Sequence, residues 1–196
     1  MLRFSSWQEI FNALLEVSVA IRRIFTPEII LGVLRGGVIP AIILSDLLGI
    51  RRISTIGVEY YVDIALKRKK PKLTHPLSIP VENKKVLIVD DIADTGGTLQ
   101  FVSDKIEELN VSDFKIATIY CKPWADLKPD FYYEERSEWI IFPWEIRETV
   151  TNVVNRFIRE GKDPNEAKLT LIEAGIEENL IDRILCWRLR NDGKNR

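Results

Sequence analysis

Three acids within five residues, Asp90, Asp91 and Asp94, run directly into Thr95-Gly96-Gly97-Thr98. Adjacent carboxylates suit sugar hydroxyls or a divalent cation. Two glycines let backbone N–H groups converge, two threonines supply hydroxyls, and a helix opening there would turn its N-terminus on an anion. The pattern predicts a phosphate held beside carboxylates. It is not a P-loop, because no Gly-Lys-Ser/Thr is present. A second anion candidate is Arg35-Gly36-Gly37, where two glycines allow backbone N–H groups to approach a diphosphate, although a plain turn reads the same way. Lys122, followed by Pro123-Trp124, offers only hydrogen-bond donors. Residues 63–72 hold five basic side chains (Lys67, Arg68, Lys69, Lys70, Lys72) against one acid, which reads as a loop, either a solvated lysine run or a lid.

These groups need a scaffold, and the hydrophobic pattern provides one. Ser6-x-x-Glu9 is a capping box. Behind it, Ile10, Phe11, Leu14, Leu15 and Ile21 predict an amphipathic helix to about residue 24. The apolar run at 28–34 and the continuous one at 86–89 predict buried strands, 53–61 and 114–120 read as further strands, and 131–133 and 139–142 as short ones. Residues 38–48, closed by Gly49, and 98–110 read as helices. Strand alternating with helix predicts an α/β fold with a mostly parallel sheet flanked by helices. Such sheets bind ligands beyond the carboxyl ends of their strands, and Arg35-Gly36-Gly37, the Asp90 segment and Lys122 all sit at such ends. After Pro143 the texture is purely helical. One stripe runs from Ile146 to Ile158, a helix starts at Asp163-Pro164, and a third carries Leu180, Ile181, Ile184, Leu185 and Leu189. The expected division is a catalytic domain at 1–143 and a C-terminal three-helix extension at 144–196.

Taken whole, Val86-Leu87-Ile88-Val89-Asp90-Asp91-Ile92-Ala93-Asp94-Thr95-Gly96-Gly97-Thr98-Leu99 resembles the phosphoribosyl pyrophosphate (PRPP) signature of the type I phosphoribosyltransferases. The resemblance implies that Asp90 and Asp91 contact the ribose hydroxyls and support Mg²⁺. It implies that the segment from Ala93 and Asp94 through Thr95, Gly96, Gly97 and Thr98 binds PRPP, its 5′-phosphate in the Asp94–Thr98 cradle. Ile92 would pack on the base, and Asp94 would face N7 of a purine as general base or acid. Leu34 with Arg35, Gly36 and Gly37 resembles the family's pyrophosphate loop, whose first peptide is often cis. The basic segment resembles the lid that closes over PRPP, with Tyr60 and Tyr61 at its root and Lys67 and Lys69 among its charges. Relatives often have Ser-Tyr there, so Tyr60 is a departure.

The resemblance extends to the base pocket of the 6-oxopurine members. Lys122 would donate to O6, Trp139 would stack on the purine, and the Ile140 carbonyl would accept from the base edge. The C-terminal helices instead resemble archaeal members that include adenine users, so 6-oxopurine and adenine stay open. The expected reaction is purine salvage: a base ring nitrogen displaces pyrophosphate from PRPP, with Mg²⁺, giving the mononucleotide. The alternative is a PRPP- or nucleotide-binding regulator of the same fold. The family habit is a dimer or tetramer, so a homo-oligomer is expected.

Composition removes other classes. The 196 residues are 46% hydrophobic and 29% charged, ordinary values for a folded chain. Twenty-eight Lys plus Arg meet twenty-nine Asp plus Glu, so no general polyanion binder is expected. From Trp144 onward ten basic residues balance ten acidic ones, which predicts no nucleic-acid partner. No apolar run approaches a membrane span, residues 1–10 hold no signal-peptide core, and two cysteines make no disulfide framework. These predict a cytoplasmic protein without a membrane partner.

Overall fold

The computed structural model describes the backbone of residues 1–63 and 68–192, with side chains described outside 60–70 and 187–192. The chain forms two compact units. One comprises Ile10–Ser137, the other Met1–Glu9 with Glu138–Arg196.

The larger unit is the expected α/β body. Its strands are β2 (Ile29–Leu34), β3 (Ile53–Asp63), β4 (Arg68–His75), β5 (Lys85–Val89), β6 (Ile92–Ala93), β7 (Asp113–Cys121) and β8 (Phe131–Glu135). Their order is β4-β3-β2-β5-β7, with β6 and β8 both paired to β7. All pairs are parallel except β3 with β4. The central strands β2 and β5 are apolar save for Lys85 at the start of β5, because both faces are covered. Ile29, Leu31, Val33, Val86 and Ile88 pack with Leu99, Val102 and Ile106 of α3 (Gly97–Glu107) in one core. Helix α1 (Trp7–Ile24) begins at the predicted capping box, where Glu9 N donates to Ser6 Oγ at 3.2 Å and Ser6 N to Glu9 Oε2 at 2.7 Å. Helix α2 (Val38–Leu48) ends at Gly49, whose φ of 74° suits glycine.

One expectation for this unit is corrected. The basic segment is not a loop throughout, since Arg68–His75 pairs antiparallel with β3. It forms the sheet edge, where lysines and Pro71 are tolerated and discourage further pairing. Polarity alone did not separate such an edge strand from a loop.

The smaller unit holds β1 (Leu2–Phe4), β9 (Trp139–Ile141), α4 (Ile146–Arg159), α5 (Pro164–Glu173) and α6 (Glu178–Asp192). The strand at 139–141 does not extend the large sheet. It pairs in parallel with β1, in the register Leu2↔Trp139 and Phe4↔Ile141. Ile141, Val150, Val154, Ala167, Leu171 and Ile181 form this unit's own core, with Leu2 and Phe4 packed on it. Asp163 caps α5, its carboxylate accepting from Asn165 N at 2.9 Å, ahead of Pro164. Among the described residues, no helix is long and apolar enough to cross a membrane.

Candidate functional site

Because β2 and β5 are parallel neighbours, with Gly32 opposite Val89, their carboxyl ends deliver Arg35-Gly36-Gly37 and Asp90-Asp91 to the same sheet edge. The two turns interlock. A Cβ placed on Gly36 would stand 2.7 Å from Asp91 Oδ1 and nearer still to Oδ2. One placed on Gly37 would meet backbone, 2.8 Å from both Asp90 Cα and Val33 N. Glycine is needed at both positions for close approach, since neither has a positive φ. The Leu34–Arg35 peptide is cis, as the family resemblance implied.

The acid corner is fixed from behind. Asp90 N donates to Ala117 O at 3.1 Å, and the Asp91 carbonyl accepts from Ile119 N and Tyr120 N at 3.1 and 3.2 Å. Asp91 N donates to Asp90 Oδ1 at 2.9 Å. Burial, then the neighbouring Asp91 charge, pushes the Asp90 carboxyl well above the usual carboxylate range. A bound cation would relieve both effects.

Beyond the corner, Asp90 and the run from Ile92 through Leu99 line one concavity of about 220 Å³. The loop turns at Gly96, where φ is 88° and Leu127 N would lie 2.7 Å from a Cβ. Gly96 is also the N-cap of α3 and brings no capping side chain. The amides of the first turn, which have no intrahelical acceptors, therefore border the concavity beside the Thr95 and Thr98 hydroxyls. Thr95 is itself anchored, its carbonyl accepting from Asp126 N at 3.0 Å.

Lys122 directly follows β7, within reach of this loop. It is only 4% exposed. Its N–H donates to Ala93 O at 2.8 Å, and its ammonium lies 5.4 Å from the centre of the Trp124 ring. Trp124 Nε1 donates in turn to Asp94 Oδ1 at 3.2 Å. Sequence reasoning missed this use of Trp124. The signal for it was an aromatic two residues after the lysine.

The structure thus brings together Leu34, Arg35, Gly36, Gly37, Asp90, Asp91, Ile92, Ala93, Asp94, Thr95, Gly96, Gly97, Thr98 and Lys122 in one unit. Trp139 and Ile140 belong to the other unit. Trp139 is 62% exposed and Ile140 is buried. There Trp139 helps line a cavity of about 630 Å³ with Met1, Leu2, Asn152, Arg156 and Thr170. Glu145 caps α4 and accepts from Phe142 N at 3.2 Å. Lys67 lies outside the described residues, as do the side chains of Tyr60, Tyr61 and Lys69. Among the described residues, no three His, Cys, Asp or Glu side chains gather as a metal cluster.

Comparison with known proteins gives consistent matches. A family model described as the phosphoribosyl transferase domain matches residues 5–149. The xanthine-guanine phosphoribosyltransferase of Idiomarina loihiensis is 30% identical over 148 residues, covering 73% of this chain and 86% of that protein. The enzyme of the same name from Nitratidesulfovibrio vulgaris is 32% identical over 120 residues, covering 59% and 68%. Among solved structures, the purine phosphoribosyltransferase of Pyrococcus horikoshii superposes with a TM-score of 0.67 at 36% identity, covering 72% of this chain and 91% of that one.

Proposed function

The chain belongs to the type I phosphoribosyltransferase family and is a purine phosphoribosyltransferase, and on that premise we propose that it transfers the 5-phosphoribosyl group of PRPP to a 6-oxopurine. Hypoxanthine, guanine or xanthine is taken in preference to adenine. The observation that carries this choice is Lys122. Its buried ammonium is adjacent, through Trp124, to Asp94. A donor-only side chain suits a carbonyl O6, and it clashes electrostatically with the amino group of adenine. The names of the curated relatives, xanthine-guanine enzymes, support the same choice.

In this reading the 5′-phosphate sits in the Ala93–Thr98 concavity on the α3 amides. Asp90 and Asp91 accept from the ribose hydroxyls. The Leu34–Gly37 turn carries the pyrophosphate, with Arg35 adding fixed positive charge as it leaves. Bond breaking at C1 develops oxocarbenium-like charge on the ribose, as in glycoside cleavage. A ring nitrogen of the base attacks C1, and Asp94 takes the proton the base sheds. Ile92 packs on the base.

Asp90 and Asp91 are the residues that would hold Mg²⁺. The donor chemistry fits: adjacent carboxylates, held together by the bond from Asp91 N to Asp90 Oδ1, suit a hard divalent cation whose remaining positions would fall to substrate oxygens and water. When bound, the ion neutralises charge on the departing pyrophosphate. We further propose that residues 1–143 form the catalytic domain and 144–196 its helical extension, that the enzyme works in the cytoplasm, and that it is a homo-oligomer.

The test is direct. The protein is incubated with PRPP, Mg²⁺ and each of adenine, hypoxanthine, guanine, xanthine and uracil, and the mononucleotide is measured. Turnover of adenine at a rate matching the best 6-oxopurine overturns the Lys122 argument. Tight PRPP binding with no base consumed instead favours the regulatory alternative.

A further inference from the structure

We propose that Trp124 is a positioning residue that couples Asp94 to Lys122 and so sets the geometry with which the purine is held and deprotonated. This rests on the reading of Asp94 and Lys122 given above. Trp124 is 54% exposed, although an indole is normally placed where its ring is buried. Its exposure is not slack. The Lys122 carbonyl accepts from Ala125 N at 3.1 Å and from Lys128 Nζ at 3.1 Å. Two residues on from Trp124, Asp126 N is tied to Thr95 O in the phosphate loop. Lys128 is also held by Glu135 at 2.6 Å. The indole is therefore carried on a short segment pinned both at the lysine and at the phosphate loop.

From that perch its two polar features point to two different groups. The N–H donates to Asp94 Oδ1. A carboxylate with one oxygen engaged by a fixed donor has its plane set, and Oδ2 is left to meet a proton. The π-face sits beneath the Lys122 ammonium, an arrangement that attracts a cation. One rigid ring thus spaces the proton acceptor from the O6 donor, the two groups that must reach the neighbouring N7 and O6 on one edge of a single purine. Placement of reacting groups is a leading contribution to rate, and small displacements are costly.

Two variants separate the indole's functions. Trp124→Phe keeps a ring face for Lys122 and removes the donor to Asp94. Trp124→Leu removes both. Initial rates are measured against purine and against PRPP, alongside thermal melting. Trp124→Phe is expected to lower kcat about tenfold with the purine KM within about twofold of wild type. Trp124→Leu is expected to show the same loss in kcat and, in addition, a purine KM raised about fivefold or more. The PRPP KM and melting temperature stay near wild type in both, which a merely structural role would not allow. Unchanged kcat in Trp124→Phe overturns the proposal, as does a PRPP KM that rises in step with the purine KM. If Trp124→Leu fails to fold, Trp124→Phe alone decides the N–H role. A wild-type chain that makes no mononucleotide from any base refutes the underlying assignment, a result distinct from active wild type with indifferent variants.

Discussion

Replacing Gly36 and Gly37 separately by alanine tests the interlocked turns, because the two methyl groups meet different neighbours. At Gly36 the new Cβ runs into the Asp91 carboxylate, the mobile end of a side chain. Rotating that carboxylate away costs about 0.5–1.5 kcal/mol. Restricting the unfolded chain returns about 0.4–1 kcal/mol. Stability should therefore change by less than about 1 kcal/mol, or about 2–4 °C in Tm for a chain of this size. Function should suffer far more, since the displaced carboxylate is the one proposed to meet ribose and Mg²⁺. Losing a hydrogen bond to a charged group costs about 1.5–3 kcal/mol, which is about 10–150-fold in kcat/KM for PRPP. At Gly37 the Cβ meets Val89 O, Asp90 Cα and Val33 N, all backbone in the middle of the sheet edge. Overpacking there costs about 1–3 kcal/mol, a fall of about 2–12 °C in Tm. The assay is a thermal melt of each variant paired with initial rates at varied PRPP and saturating base. The expected pattern is a stable, PRPP-impaired Gly36→Ala and a destabilised Gly37→Ala. Wild-type kcat/KM for PRPP in Gly36→Ala would refute the contact argument, and so would equal melting temperatures for the two variants.

Three further substitutions probe the acids and the lysine. Asp94→Asn should lower kcat about 10²–10⁴-fold, the usual weight of a lost general acid–base group, with PRPP affinity by calorimetry little changed; equal loss of both would make Asp94 chiefly a PRPP ligand. Lys122→Ala should lower kcat/KM for hypoxanthine or guanine about 10–150-fold and leave any adenine rate unaffected, as a side-by-side rate comparison would show. Asp90→Asn should abolish turnover yet raise Tm at neutral pH without divalent cation. The sign follows from the upward displacement of the Asp90 carboxyl by burial and by Asp91. Stability associated with the protonated group is intact below the ordinary carboxylate value and is lost as pH rises through the raised native value. The stabilising effect of Asp90→Asn should therefore shrink as melts are taken toward acid pH, and a gain independent of pH would contradict it.

Much of this was legible in the sequence, for reasons that differ by element. The runs 28–34 and 86–89 could only be strands buried on both faces, and Gly49 marked the end of α2 because a left-handed residue was required there. The run Asp94–Thr98 stood out because its small residues and hydroxyls lie at the offsets a phosphate cradle would need, and the structure lines a concavity with it. The strand Leu2–Phe4 was not readable, being three residues long with Arg3 at its centre. It exists through pairing with Trp139–Ile141, some 137 residues away in the chain. A pairing that distant leaves no local period. The lysine-rich β4 failed for the opposite reason: an edge strand is built to look unlike a strand.

The Trp124 contact shows a third kind of illegibility, and it bears on how the site works. Residue 124 could be read as pocket-lining from its place beside Lys122, but its bond to Asp94 spans thirty positions and depends on the turn pinned to Thr95. The same turn sets Leu127 against Gly96, so the segment that carries the indole also shapes the floor of the phosphate loop. In the proposed reading, phosphate site and base site therefore share one wall. Substituting the indole leaves that backbone tie in place, so the purine parameters respond and the PRPP parameters do not. The two substrates proposed to meet at a single carbon would thereby be referred to one frame, in which backbone ties hold the phosphate cradle and the indole places the proton acceptor.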